Sequence, residues 1–185
     1  MSQQEMSKRD SWANEIFEYA EMIFATIAAV MLLFTFVIRP AEVFGSSMYP
    51  TLENGDRLLI SKLFYEPKQG DIVVIPHPNM PPDEPALIKR VIALEGQTVD
   101  IDFETGDVWV DGELLDEPYI NEPTYDQQDF EGPLTVPKGE VFVLGDNRNA
   151  SSDSRSAIFG TFDEDYILGR CIVRIAPFDK IGSVE

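Results

Sequence analysis

Histidine and cysteine are almost absent from this chain of 185 residues, which contains one of each. The single histidine, His77, lies in a proline-rich stretch that predicts an exposed loop. A zinc site built from several histidines is therefore excluded, and a Ser-His-Asp triad would depend on this one poorly placed ring. The single cysteine, Cys171, forms no internal disulfide and so does not identify the redox compartment; its apolar neighbours predict a buried side chain.

Basic residues are scarce as well. The chain has 14 Lys and Arg against 33 Asp and Glu, which gives a formal net charge of -19. A surface of this sign repels phosphate groups, so it argues against nucleic-acid binding and against docking on anionic lipid. The length suits one modest domain with appendages, and the 44% apolar content is sufficient for a core.

The longest uncharged run is "MIFATIAAVMLLFTFVI", residues 22–38, at the short end of the roughly 17–25 residues that cross a bilayer. It lacks the polar stripe of a buried core helix, and the chain lacks the basic start and small-x-small site of a cleaved signal peptide. The sequence therefore predicts a tail over 1–15, one transmembrane helix over 16–39 and a β-rich domain over 40–185. The flanking basic residues slightly favour an inside N-terminus and an outside domain.

Strand signals dominate after residue 39. "RLLISKLFY" and "GDIVVIP" are separated by a Pro/Gly turn, and "EGQTVDIDFETGDVWVDGELL" has the pattern of three strands joined by two tight turns. No long amphipathic helix interrupts these segments. The sequence thus predicts a mainly β fold, an antiparallel β domain that follows one N-terminal transmembrane helix.

A strongly acidic segment, residues 100–131, contains twelve acidic residues and no Lys or Arg. We expect a solvated excursion beside the core, within a smaller acidic hairpin region over 97–140. Calcium binding is the functional alternative because oxygen-rich loops suit that ion, but the spacing matches no known ligand loop.

A candidate nucleophile lies in "VFGSSMYPTL", residues 43–52. Gly45 permits a tight bend and Pro50 favours an extended residue before it, so the bend would expose Ser47. The alternative is a serine that only forms a turn or a cap.

A serine nucleophile needs a base, and without a credible histidine the candidates are Lys, Asp and Glu. Lys89 differs from the other lysines because it lies in the apolar stretch "LIKRVIAL". Burial lowers a lysine pKa, and a neutral amine can accept the serine proton. The alternative is an edge-strand lysine whose amine reaches water.

A third polar stretch, "LGDNRNASSDSRSAIFG", occupies residues 144–160. It predicts either a long turn held by local hydrogen bonds and ion pairs, or a loop whose hydroxyls orient Lys89. It does not match an EF-hand loop.

These stretches, in this order after an apolar run, resemble the type I signal peptidases. "GSSMYPTL" resembles the serine box of that family, "IKRVIALEGQTV" its lysine box and "GDNRNASSDSR" its third box, and "VDGELLDEPYI" is similar to a family hairpin. The resemblance extends from the apolar run to about Gly169. It implies the antiparallel β catalytic domain of the signal-peptidase type, with a short insert as in Gram-positive members.

The resemblance also implies residue roles. Ser47 would be the nucleophile, its N–H an oxyanion donor, and Lys89 the general base, with Ser151 orienting the lysine amine. Some members carry a serine where this chain has Gly45, so the Gly45 N–H or a water would have to replace that hydroxyl. The remaining implied residues are the supporting pairs Arg90 with Asp146 and Asp153 with Arg155, and the substrate-binding side chains Val43, Met48, Leu52 and Ile88.

The implied activity is cleavage of signal peptides from exported preproteins after small-x-small (Ala-x-Ala-like) sites, without a metal or cofactor. The eight residues between Ile38 and Ser47 reach at most roughly 30 Å, which would keep the serine near a membrane surface. The expected partners are signal peptides, the lipid bilayer and the secretion machinery, but no nucleic acid. The expected location is the plasma membrane, with one span and the catalytic domain outside the cytoplasm.

Two other classes remain open at this point. A non-catalytic relative could act as a membrane-anchored binding or pilus-assembly factor, although it would not need both Ser47 and Lys89. A Ser-Lys self-cleaving repressor would need a DNA-binding helix pair and a basic face, and the sequence has neither.

Overall fold

The chain divides into two compact units, Met1–Ile38 and Arg39–Glu185, in a computed structural model that describes residues 3–76 and 85–184. The first unit contains one helix, α1 (Gln3–Phe36), which includes most of the stretch for which the sequence predicted a tail. Within the two described ranges, no helix is both long enough and apolar enough to cross a membrane.

The second unit is built from antiparallel strands, as the sequence predicted. Alternating apolar residues and glycine-containing turns produce the hairpins of the middle segment, and Arg39, which the sequence analysis had placed in the transmembrane helix, begins the first strand. The strands are β1 (Arg39–Glu42), β2 (Arg57–Ser61), β3 (Ile72–Ile75), β4 (Leu87–Ala93), β5 (Thr98–Asp102), β6 (Asp107–Val110), β7 (Glu113–Leu114), β8 (Leu134–Thr135), β9 (Glu140–Leu144), β10 (Phe162–Asp163), β11 (Gly169–Ala176) and β12 (Gly182–Ser183).

Two sheets organise these strands. The larger sheet has the order β1-β2-β11-β3-β4-β9-β10, with β12 paired to β11. The smaller sheet has the order β7-β6-β5-β8 and occupies residues 98–135, within the predicted acidic region. Each strand pairing in the described part of the chain is antiparallel.

Strand β4 lies inside the larger sheet, between β3 and β9. The sequence predicted one buried face for it, but both faces are buried because apolar clusters cover both sides. Ile88 packs in a cluster with the residues that follow β1, Ile92 packs against the smaller sheet, and Val91 packs against β3 and β9. From Ile88 to Ala93, a side chain on β4 is therefore shielded from water on either face of the sheet.

Candidate active site

The loop that follows β1 carries the candidate nucleophile and bends sharply at a glycine. Gly45 has a φ of +81°, a left-handed conformation that glycine adopts at little cost. Met48 and Leu52 then form one helical turn, with the Leu52 N–H donating to the Met48 carbonyl at 2.8 Å. Their side chains are buried, so the loop is anchored on one side while Ser47 stays partly exposed.

Strand β4 brings Lys89 to this serine. Lys89 Nζ and Ser47 Oγ lie 2.7 Å apart, although 42 positions separate the two residues in the chain. The side chain of Lys89 is buried on an internal strand, which excludes the alternative of an edge-strand lysine that reaches water. None of the ion pairs among the described residues includes Lys89.

The pKa of Lys89 is lowered, and burial is the main cause. It lowers the pKa of Lys89 from the ordinary 10.5 to about 8, because an ammonium ion loses its hydration in the core. Asp153 and Asp146 act in the opposite direction, and Arg155 reinforces the decrease. A substantial fraction of the amine is therefore neutral in mildly alkaline solution, where it can accept a proton from a hydroxyl.

The two backbone N–H groups considered for an oxyanion site differ in availability. The Gly45 N–H donates to Asn54 Oδ1 at 2.9 Å, so it is already used in this conformation. By contrast, no hydrogen bond within the described part of the chain uses the Ser47 N–H. The expectation that Gly45 supplies a free donor therefore does not fit this geometry, whereas the Ser47 N–H is free.

The third polar stretch begins where β9 ends and packs against the serine loop. Asp146 receives two hydrogen bonds from Arg90, at 2.9 and 2.8 Å, and one from Thr51 Oγ1 at 2.5 Å. Asp153 receives two from the guanidinium group of Arg155, at 2.8 and 2.9 Å, and one from the backbone N–H of Arg155 at 3.3 Å. Both ion pairs that the sequence suggested are thus present, and both are buried.

Closer contacts come from two residues that sequence reasoning did not assign. Asn147 donates from its backbone N–H to the Ser47 carbonyl and from its side chain to the Ser46 carbonyl, each at 3.0 Å. Gly145 allows this approach, since a Cβ there would lie 2.5 Å from the Ser47 carbonyl oxygen and 2.2 Å from Ser151 Oγ. Gly145 and Asn147 both belong to the third polar stretch identified in the sequence. The serine loop that they contact lies far away in the chain, so no local pattern predicted the contact.

Ser151 is buried beside the serine loop, as expected for an orienting residue. Its Oγ, however, has no hydrogen-bond partner, so the expected hydrogen bond to the Lys89 amine is not formed here. The backbone of the same residue is well held, because its carbonyl accepts hydrogen bonds from Gln128 at 2.7 Å and from Arg155 at 3.3 Å.

The four side chains suggested as substrate-binding lie in one buried apolar cluster. These residues are Val43, Met48, Leu52 and Ile88. Met48 and Leu52 are almost wholly buried, and Val43 and Ile88 expose only a few per cent of their surface. The cluster packs the serine loop against strand β4 through Ile88; direct contact of these side chains with a substrate stays a prediction.

The acidic segment is more than a solvated excursion, which corrects the expectation from sequence. Glu117 pairs with buried Arg148 at 2.5 and 2.9 Å, and Asn149 Oδ1 accepts two backbone N–H groups from residues 125 and 126. The Asp126 carbonyl accepts from Arg155 at 2.7 Å. The acidic segment therefore packs against the third polar stretch and holds it in place through these hydrogen bonds.

Two other expectations concern residues of metal-binding type. Within the described ranges, no group of three or more His, Cys, Asp or Glu residues is arranged to hold a metal ion. His77 lies outside the described residues.

A serine hydroxyl in contact with a buried amine that has no carboxylate partner can support hydrolase chemistry in which the amine accepts the hydroxyl proton. The comparisons with known proteins indicate a peptidase family. A family model described as "Signal peptidase, peptidase S26" matches residues 16–176. A probable signal peptidase I-1 from Synechocystis sp. is 38% identical over 175 residues, which cover 90% of this chain and 86% of the relative.

A second relative points the same way. Signal peptidase I T from Bacillus subtilis is 35% identical over 183 residues, which cover 93% of this chain and 91% of the relative. By the family model and these two relatives, the chain belongs to the signal peptidase family, peptidase S26, and is a serine endopeptidase; the resemblance to the type I signal peptidases is confirmed. A crystal structure of a signal peptidase I from Enterococcus faecalis is also similar, with 34% identity and a TM-score of 0.46, covering 57% of this chain and 97% of that one.

Gly145 offers a test of the close packing between the two loops. We expect Gly145→Ala to reduce kcat/KM by at least about tenfold, because the new methyl group would push the third stretch away from Ser47. The matched control is Gly182→Ala, since a Cβ at Gly182 meets nothing within 4 Å. Peptide cleavage by the two variants is the measurement, and equal activities would contradict the packing argument.

Proposed function

We propose that this chain is a membrane-anchored signal peptidase that cleaves signal peptides from exported preproteins after small-x-small sites, with Ser47 as nucleophile and Lys89 as general base. The observation that carries the proposal is the 2.7 Å contact between Ser47 Oγ and an amine that is buried without a carboxylate partner. A general base must lie within hydrogen-bond reach of the proton that it removes and must be neutral near the working pH.

The proposed reaction has two halves. In the first, Ser47 Oγ attacks the scissile carbonyl carbon while its proton passes to Lys89 Nζ, and the resulting oxyanion accepts a hydrogen bond from the Ser47 N–H. The tetrahedral intermediate then collapses, the peptide C–N bond breaks and Lys89 returns the proton to the leaving amine. In the second half, Lys89 accepts a proton from water, whose oxygen attacks the acyl ester; the bond to Ser47 Oγ then breaks, Lys89 returns the proton to Ser47 Oγ and the signal peptide leaves with a free carboxyl group.

Ser151 and Gly45 keep supporting roles in this proposal. Ser151 Oγ is buried, lies beside the serine loop and has no hydrogen-bond partner among the described residues, which suits a hydroxyl that orients the Lys89 amine. The N–H of Gly45 would have to leave Asn54 before it could serve as a second oxyanion donor. The Ser47 N–H is thus the donor on which the proposal depends.

Substrate choice would follow from the apolar surroundings of the pair. Val43 and Ile88, which neighbour Ser47 and Lys89 in the serine loop and on β4, would line a subsite for small apolar side chains such as alanine, and the substrate backbone would add as an extended strand. Signal peptides carry small residues just beyond their apolar core.

The nucleophile and base are tested by substitution. In detergent, we expect the full chain to cut a preprotein that bears an Ala-x-Ala site, and Ser47→Ala and Lys89→Ala each to lower kcat by at least about 10³-fold. Ser152→Ala and Lys138→Ala are matched controls at exposed positions and should keep activity. A preprotein with bulky residues in place of both alanines should resist cleavage. Full activity of either site variant would remove the proposed pair.

The anchor is tested separately by extraction of membranes at alkaline pH. The proposal rests on the uncharged run over residues 22–38 and on exposed apolar side chains of α1 such as Phe17 and Phe24. We expect the full chain to stay in the membrane pellet after carbonate treatment. Release into the supernatant would exclude a spanning anchor, whatever the activity of the enzyme.

The proposed role of Lys89 predicts how the activity depends on pH. Because only unprotonated Lys89 can accept the serine proton, kcat/KM should rise with pH and reach half its plateau near 8. About a tenth of the amine is neutral at pH 7 and about nine tenths at pH 9, so the rise should approach tenfold. Lys89→Arg, which stays protonated, should show no such rise. A flat profile of the unmodified enzyme between about pH 6 and 9 would contradict the argument.

A further inference from the structure

Asn147 holds both peptide groups that flank Ser47. Its side-chain Nδ2 donates to the carbonyl of Ser46 at 3.0 Å, and its backbone N–H donates to the carbonyl of Ser47 at 3.0 Å. One residue of the third stretch therefore fixes the backbone of the candidate nucleophile on both sides.

The side-chain contact has a geometric consequence. The Ser46 carbonyl and the Ser47 N–H belong to one planar, trans peptide group, so they point in opposite directions. The Tyr49 N–H also donates to the Ser46 carbonyl, at 3.1 Å. With the carbonyl held by two donors, the Ser47 N–H is directed away from both, and it donates no hydrogen bond to any described residue.

We propose that Asn147 is a positioning residue for the reaction: its side-chain amide fixes the direction of the Ser47 N–H toward the developing oxyanion. The inference rests on the proposed function, in which Ser47 is the nucleophile. Hydrogen bonds to the carbonyl also polarise the peptide group, which makes its N–H a stronger donor. The effect matters in this chain because residue 45 has no side-chain hydroxyl and its N–H is bonded to Asn54.

Asn149 provides a matched control two positions away, in the short helical turn of residues 148–150 that Asn147 directly precedes. Its side chain makes three hydrogen bonds to the backbone of the acidic segment, at 2.9, 2.9 and 3.0 Å, and none to the serine loop. The Asn147 side chain has only the contact with Ser46 and a 3.5 Å contact with Asn121. A purely structural role thus predicts that Asn149→Ala is the more damaging change.

The positioning role predicts the opposite order for catalysis. In the full chain in detergent, we expect Asn147→Ala to lower kcat about 10- to 100-fold with KM within about threefold, since the oxyanion exists only after attack. The pH midpoint near 8 should not move, because Lys89 keeps its surroundings. Asn147→Asp keeps the shape but loses the donor, so its kcat should fall similarly. Asn149→Ala should lower the melting temperature more than kcat.

A peptide boronic acid reports on the oxyanion site directly, because its boron binds the serine oxygen and becomes tetrahedral. We expect its inhibition constant to rise in Asn147→Ala by a factor close to the loss in kcat, and to stay within about threefold in Asn149→Ala. Equal kcat losses in the two alanine variants, an unchanged boronate constant, or failure of both Asn147 variants to fold would overturn the inference. If Ser47→Ala also keeps full activity, the proposed function itself has failed.

Discussion

The arrangement of the site depends on one buried cation that has no acid to neutralise it. Among the buried basic side chains of the described ranges, Arg90, Arg148 and Arg155 each contact a carboxylate, whereas Lys89 contacts only the hydroxyl of Ser47. Burial of an ammonium ion without a partner is unfavourable, and the lysine responds by losing its proton more readily. The same burial that makes the ammonium ion unfavourable leaves an amine beside the hydroxyl of Ser47, which is what the proposed base requires.

This constraint explains why the neighbouring charges are held so firmly. A carboxylate that turned toward the amine would favour its charged form and remove the base. Asp146 is kept on Arg90 and Thr51, and Asp153 is kept on Arg155 and on the N–H of Gly145, at 3.0 Å. Each ion pair therefore holds its carboxylate on an arginine, and the two carboxylates raise the pKa of Lys89 by less than burial lowers it.

Sequence reasoning predicted the antiparallel β class and several individual strands because alternation and turn residues are local signals. It also singled out Ser47 and Lys89, since an apolar setting makes a lysine unusual. It did not predict two buried faces for β4, because that burial comes from chain segments that lie far away in the sequence. The two hydrogen bonds of Asn147 to the serine loop and the hydrogen bond of the Gly45 N–H to Asn54 were not predicted either. Contacts of this kind depend on the fold and produce no periodic pattern in the sequence.

The acidic segment illustrates how composition can mislead. Twelve acidic residues without a basic one suggested a solvated excursion, yet Glu117 neutralises the buried Arg148 and backbone groups of residues 125 and 126 hold Asn149. Arg148 in turn donates to the carbonyl of Gly145 at 3.0 Å, at the point where the third stretch touches the serine loop. The segment thus supplies the counter-charge of Arg148, and through Arg148 it holds the backbone of Gly145 in place. Composition alone does not predict this role, because the effect of a carboxylate depends on the group that it contacts in the fold.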